Sequence, residues 1–100
     1  MASLQHITER FRRALEGQAG LDRTLKLDLR GEGFVFLDGQ TVSNEDRAAD
    51  CTVSVSKDDL EALAKGALDP MGALMRGRMR VTGDMAVAMR LAPMLSAAKG

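Results

Sequence analysis

The sequence has little aromatic character, since it contains no tryptophan, no tyrosine and three phenylalanines in 100 residues. Its 14 lysines and arginines balance its 14 aspartates and glutamates, so the formal net charge is zero. A dedicated nucleic-acid binder usually needs a basic face or stacking aromatic rings, and the composition therefore predicts no nucleic-acid partner. We expect a single domain over residues 1–100, because domains of about 100–150 residues are the commonest.

Cysteine and long apolar runs are also scarce. Cys51 is the only cysteine, so it cannot form an internal disulfide, and a reducing compartment suits the chain. Residues 1–17 carry charges and lack the apolar segment of a signal peptide, and the longest uncharged run, 91–98, is too short for a membrane-spanning helix. These absences predict a soluble, cytoplasmic protein.

Groups that could catalyse a reaction do not form a recognisable set. We expect the single histidine, His6, on the surface of the first helix, and Cys51 as a small buried residue of an alternating strand. No Cys/His cluster has the spacing of a zinc site, and the glycines of 31–33 join two strands rather than opening a phosphate-binding helix. The sequence therefore predicts no enzyme, no catalytic residues, no bound metal and no cofactor.

Hydrophobic spacing changes between helical and strand periods along the chain. Apolar residues three or four apart predict a first helix from Leu4 to Leu15. Strands are predicted at 24–30, 34–37, 41–43, 51–56 and 78–82. Ser56 and Asp69 cap two short helices, and Asp84 caps a last helix over 85–95, which Pro93 should kink or end. This order predicts an α+β fold with helices packed on one face of a mostly antiparallel sheet.

Methionine is concentrated at one end of the chain, where residues 71–94 hold six of the seven. The predicted last helix carries one charge, Arg90, so it must be buried on more than one side or face a cavity or a partner. Cores of fixed shape favour Leu, Ile and Phe, whereas methionine adapts to irregular or changing space. The methionines therefore indicate either a central core helix or an apolar surface that accepts variable shapes.

The C-terminal third resembles a known family pattern. The segments KGALDP (65–70), RMRVTGDM (78–85) and AMRL (88–91), with a short helix ending at Gly77, resemble the C-terminal signature of the sterol-carrier-protein domain. The upstream order of one helix, three strands with Asp38-Gly39 at a hairpin and a further alternating strand also fits. The resemblance covers nearly the whole chain, and the length is closest to that of the small free-standing bacterial members.

The resemblance implies a five-stranded sheet with helices on one side, an apolar tunnel between them, and non-covalent binding of lipids. The low aromatic content favours a flexible ligand, such as a fatty acid, an acyl-CoA or an isoprenoid, over a rigid sterol. The residues expected to line the cavity between the sheet and the C-terminal helices are Phe11, Phe34, Phe36, Leu74, Met75, Met79, Met85 and Met89. The sequence leaves open whether Phe34 and Phe36 or Val35 and Leu37 face inwards.

Two other functions stay open. In one, the apolar last helix docks on another protein or on a second copy of the chain, giving a homodimer. In the other, the domain is an accessory subunit that presents lipid-like substrates to an enzyme. The C-terminal arginines (Arg76, Arg78, Arg80 and Arg90) either form a solvated face or attract an acyl-CoA phosphate, a lipid carboxylate or, in transient contact, an anionic membrane. Only the second alternative predicts binding that weakens as ionic strength rises.

Overall fold

Helices and strands follow one another in the predicted order in the computed structural model, which describes residues 3–16 and 23–90. The helices are α1 (Leu4–Glu16), α2 (Lys57–Ala64), α3 (Pro70–Met75) and α4 (Met85–Ala88). The strands are β1 (Thr24–Asp28), β2 (Phe34–Asp38), β3 (Thr41–Ser43), β4 (Cys51–Val55) and β5 (Met79–Gly83). The predicted continuation of the last helix over 91–95, including Pro93, lies outside the described residues.

The strands form one five-stranded sheet in the order β3-β2-β1-β4-β5. Strands β1 and β4 are parallel, and the other three neighbouring pairs are antiparallel. The parallel pair arises because two successive hairpin connections lead to β3 at one edge, and the 44–50 connection then returns the chain to the far side of β1. The α+β class and the mostly antiparallel sheet are confirmed.

The strand register divides the sheet into an inner face and an outer face. On the inner face, Leu25 pairs with Leu37 and Leu27 pairs with Val35, and all four side chains are buried. Residues of every described helix join this face in a single hydrophobic cluster: Ile7, Phe11 and Leu15 of α1, Leu60, Leu63 and Ala64 of α2, Ala73 of α3 and Val87 of α4. The helices therefore pack on one face of the sheet, as predicted.

The 44–50 connection lies on the outer face. The Lys26 ammonium is 2.7 Å from an Asp46 carboxylate oxygen, and the Arg47 guanidinium is 5.2 Å from the centre of the Phe36 ring. Further along, Asp50 accepts a hydrogen bond from the Thr24 backbone N–H at 2.9 Å and a second from its hydroxyl at 3.1 Å. These hydrogen bonds lower the pKa of Asp50 below its usual value. The connection is thus tied to β1 and β2 by charge, ring and hydrogen-bond contacts.

The three later helices begin at the predicted capping residues. Ser56 accepts the Asp59 N–H at 3.1 Å, Asp69 accepts the Gly72 N–H at 3.0 Å, and Asp84 accepts the Ala86 N–H at 3.0 Å. Each cap satisfies an N–H group that has no partner within the helix. The caps at Asp69 and Asp84 fix where α3 and α4 begin, before and after β5 in the sequence. Among the described residues, none of the helices has the length and hydrophobicity needed to cross a bilayer.

Candidate functional site

The site begins with methionines that the fold leaves uncovered on α3 and at α4. The exposed methionines are Met71 (58%), Met75 (88%), Met85 (48%) and Met89 (54%). Met71 and Met75 are four positions apart, and so are Met85 and Met89, which places the members of each pair on one face of a helical segment. The opposite faces carry Ala73 and Val87, which are buried in the core. We call the four exposed side chains, two on each of two separate helical segments, the methionine face.

The methionine face adjoins the hydrophobic core. Leu74 of α3 and Ala88 of α4 are half-buried and pack against the core cluster. Between the two helices in sequence, β5 contributes Met79, which is 5% exposed and pairs with Val55 on the inner face of the sheet. Apolar side chains therefore lead from the surface of α3 and α4 to the sheet beneath them.

The structure separates the eight expected lining residues into three groups. Phe11, Leu74 and Met79 lie on the core side, and Phe11 is completely buried. Met75, Met85 and Met89 belong to the methionine face. Phe34 and Phe36 lie apart from both groups, on the outer face of the sheet.

The placement of Phe34 and Phe36 differs from their expected position beside the cavity. In the register, Phe36 pairs with Lys26 while Leu37 pairs with Leu25, so the phenylalanines alternate away from the helices. Lys26 lies 5.5 Å from the centre of the Phe34 ring. A cavity between the sheet and the helices would therefore be lined by Val35 and Leu37. The sequence alternation left this choice open because residues 34–37 are all apolar.

A different concavity, of about 760 Å³, lies between the start of α1 and α2. Its lining residues are Ser3, His6, Lys57, Asp58, Glu61, Ala62, Lys65 and Ala67. Lys57 is 3.3 Å from a Glu32 carboxylate oxygen, and Glu61 is paired with Arg10. This mixed-charge lining suits water and polar groups rather than an apolar chain. No sequence motif indicated it, because its walls come from segments about fifty residues apart.

The C-terminal arginines differ in their surroundings. The Arg78 guanidinium donates to the buried Asp59 carboxylate of α2 at 2.7 Å, so it ties β5 to that helix. Arg80 is exposed, at a register position opposite Ser54 on the outer face. Arg76 follows Met75 directly as the C-cap of α3 and is also exposed. Arg76 therefore places a positive charge beside the methionine face, whereas Arg80 places one on the outer face of the sheet at the edge strand β5.

The residues considered for catalysis lie apart from one another. His6 is exposed on α1, and its backbone N–H donates to the Ser3 hydroxyl at 3.1 Å. Cys51 is buried on β4, and this burial raises the pKa of its thiol, with a smaller contribution from the Asp84 charge. Within residues 3–16 and 23–90, no three His, Cys, Asp or Glu side chains are grouped so that they could hold a metal ion.

Comparisons with known proteins identify relatives over most of the chain. The family model described as the SCP-2 sterol transfer family matches residues 2–96. Sterol carrier protein 2 of Oryctolagus cuniculus is 35% identical over 77 residues, which cover 76% of this chain and 13% of that protein. The chain thus matches a small part of the length of this curated relative.

Two solved structures share the fold. The sterol carrier protein-2 of Aedes aegypti, determined in complex with palmitate, has a TM-score of 0.76 at 19% identity and covers 97% of this chain and 98% of its own. The sterol carrier protein 2 like 2 of the same organism has a TM-score of 0.75 at 24% identity, covering 90% of this chain and 94% of its own. Both similarities extend over nearly the whole of each chain.

Proposed function

Because the chain belongs to the SCP-2 sterol transfer family, we propose that it is a non-enzymatic lipid carrier. Its ligand is a flexible chain, namely a fatty acid, an acyl-CoA or an isoprenoid, rather than a sterol. The low aromatic content and the six methionines of residues 71–94 support a flexible ligand, since methionine side chains adapt to variable apolar shapes. The palmitate in the Aedes aegypti relative also supports a single-chain lipid.

The observation that carries the proposal is the methionine face and its connection to the core. Burying a methionine side chain contributes about 1.5–3 kcal/mol, and the domain forgoes much of this at four positions. A ligand that covers Met75, Met85 and Met89 would supply the missing burial at three of these positions. Leu74 and Ala88 provide an apolar path from the methionine face towards the core.

In this proposal the acyl or isoprenoid chain lies across the exposed methionines of α3 and α4 and reaches past Leu74 and Ala88 to the inner face of the sheet. The proposed lining residues are Phe11, Val35, Leu37, Leu74, Met75, Met79, Met85 and Met89. Val35 and Leu37 take the place of the two phenylalanines because of the β1–β2 register. The non-covalent binding needs only apolar contact, so it is compatible with the scattered positions of His6 and Cys51.

Met89→Glu is expected to weaken fatty-acid binding by about tenfold or more, because bringing an acyl chain over a carboxylate removes that charge from water. The melting temperature should change little, because Met89 is 54% exposed and the new carboxylate can remain solvated without ligand. Titration with a fluorescent long-chain fatty acid measures the affinity, and thermal denaturation checks the fold.

Thr82→Glu is the matched control, since it adds the same charge at an exposed position of the neighbouring strand β5, on the outer face of the sheet. Its affinity should stay within about twofold of the unmodified protein. Equal losses in Met89→Glu and Thr82→Glu would assign the effect to net charge and contradict the proposed site.

A further inference from the structure

The sheet ends at β5, and the pairing with β4 decides which backbone groups of β5 point outwards. The Asp84 N–H donates to the Asp50 carbonyl oxygen at 2.9 Å, so these two residues form a hydrogen-bonded pair at the end of the antiparallel ladder. Because such pairs alternate along a ladder, Arg80 and Thr82 direct their backbone groups towards β4. The backbone N–H and C=O of Val81 therefore point away from the sheet, and none of the other described residues is hydrogen-bonded to them.

The edge strand on the other side of the sheet, β3, is partly covered. Asp38 pairs with Thr41 across a two-residue hairpin, so the backbone groups of Val42 point away from β2. The Arg12 guanidinium of α1 donates to the Val42 carbonyl oxygen at 3.2 Å and occupies this edge. An edge with unpaired N–H and C=O groups is a template for pairing with a further strand. Of the two edges, β5 is therefore the one open to another chain.

We propose that β5 pairs with β5 of a second copy of the chain, antiparallel and centred on Val81, so that the dimer has one continuous ten-stranded sheet. Val81 then exchanges two backbone hydrogen bonds with Val81 of the second copy, and Met79 lies opposite Gly83 of that copy. The two-fold axis of such a pair is perpendicular to the sheet, so the helices of both copies lie on the same side. This assembly goes beyond the proposed lipid carriage and does not depend on it.

The side chains of β5 also suit an antiparallel copy of the same strand. In the register centred on Val81, Arg80 lies opposite Thr82 of the second copy on the outer face, so the two arginines are not directly opposed. On the inner face, the half-buried Val81 side chain lies beside its counterpart and gains apolar contact. A register centred on Arg80 would instead place the two arginines opposite each other, which is unfavourable. The strand is therefore self-complementary in one register.

Sedimentation equilibrium of the whole chain, from about 10 µM to about 1 mM, measures the assembly, because pairing through one short strand gives a small and weak interface. Val81→Pro should abolish the dimer, since proline lacks the N–H that would bond to the second copy. The variant should stay folded, because proline is tolerated on an edge strand where the N–H faces away from the sheet. Thr82→Pro removes an N–H of the β4–β5 ladder and should instead lower the melting temperature strongly.

Thr82→Lys tests the side-chain register without changing the backbone. It places a lysine opposite Arg80 of the second copy, and two such like-charged pairs should weaken the dimer about 2- to 30-fold. Thr82→Glu should tighten the dimer by a similar factor, because it places a carboxylate at the same position. Thr41→Lys is the matched control, since it adds the same charge at an exposed position of β3, and it should leave the dimer unchanged.

Amide hydrogen exchange reports on the same edge directly. The Val81 N–H should exchange quickly in dilute protein and slowly in concentrated protein, whereas the N–H groups of Arg80 and Thr82 should be protected in both. A chain that stays monomeric over the whole concentration range overturns the proposal. A dimer that Val81→Pro and Thr82→Lys leave intact also overturns it, as does one that Thr41→Lys weakens as much as Thr82→Lys.

Discussion

Gly83→Ala is expected to lower the free energy of unfolding by about 3 kcal/mol or more, a large part of the roughly 5–15 kcal/mol of a typical domain. A Cβ atom at Gly83 would lie 2.2 Å from the Asp50 carbonyl oxygen, and the residue has a φ of +98°. That carbonyl also accepts the Asp84 N–H at 2.9 Å, so moving it would break the contact that leads into α4. Urea denaturation measures the loss.

Gly77→Ala separates the steric contact from the backbone conformation. Gly77 has a similar φ of +73°, but an added Cβ would meet no atom within 4 Å. Its substitution should cost only about 1 kcal/mol, the usual penalty for an L-residue in the left-handed region. Equal losses at the two glycines would contradict the proposed importance of the Asp50 contact. Because Gly83 directly precedes the α4 cap, Gly83→Ala should also weaken lipid binding more than Gly77→Ala does.

Phe11→Ala is expected to lower the free energy of unfolding by about 3–5 kcal/mol, because its ring is completely buried and truncation leaves a cavity. Chemical denaturation measures the change. The proposed lipid site adds a second expectation. A saturating fatty acid, at about 100 times its Kd, should still stabilise the variant by about 2.7 kcal/mol, because the ligand binds only the folded state.

Phe34→Ala is the control for Phe11→Ala. Phe34 is half-buried on the outer face, where its ring contacts Lys26. Its truncation should therefore cost clearly less than that of Phe11. A loss at Phe34 as large as that at Phe11 would contradict the assignment of the core to the inner face of the sheet.

The sequence predicted those parts of the fold that depend on neighbouring residues. The helical spacing of Ile7, Phe11 and Leu15 gave α1 its buried face, and hydroxyl or carboxylate side chains at Ser56 and Asp69 marked helix starts. These features could be predicted because period and capping act over three or four residues. The order of the elements follows from them directly.

The features that the sequence did not predict depend on contacts between distant segments. The parallel pairing of β1 with β4 follows from the path of the 44–50 connection across the outer face. The burial of Phe36 on that face, at 3% exposure, depends on Arg47 from the same connection. No local period encodes either contact, so the sequence could not show which side of β2 faces the helices.

The sequence predicted those parts of the candidate site that depend on local spacing, and not those that depend on contacts between distant segments. The clustering of methionines in residues 71–94 is visible in the sequence, and so is the four-residue spacing of Met71 from Met75 and of Met85 from Met89. Which of them are exposed depends on packing: Met79 faces the core from β5, whereas Met75 is 88% exposed. The ion pair of Arg78 with Asp59 likewise joins residues nineteen positions apart and was not indicated by any pattern.

The central claim, that a lipid contacts the exposed methionines of α3 and α4 and reaches the inner face of the sheet, is tested most directly by methionine methyl NMR. Carbon-13 labelling of the methionine methyl groups gives one signal for each of the seven methionines, assigned by single Met→Leu variants. On titration with palmitate, the signals of Met75, Met79, Met85 and Met89 should shift and then saturate, and that of Met71 should shift less. A folded protein in which palmitate leaves those four signals unmoved would contradict the account.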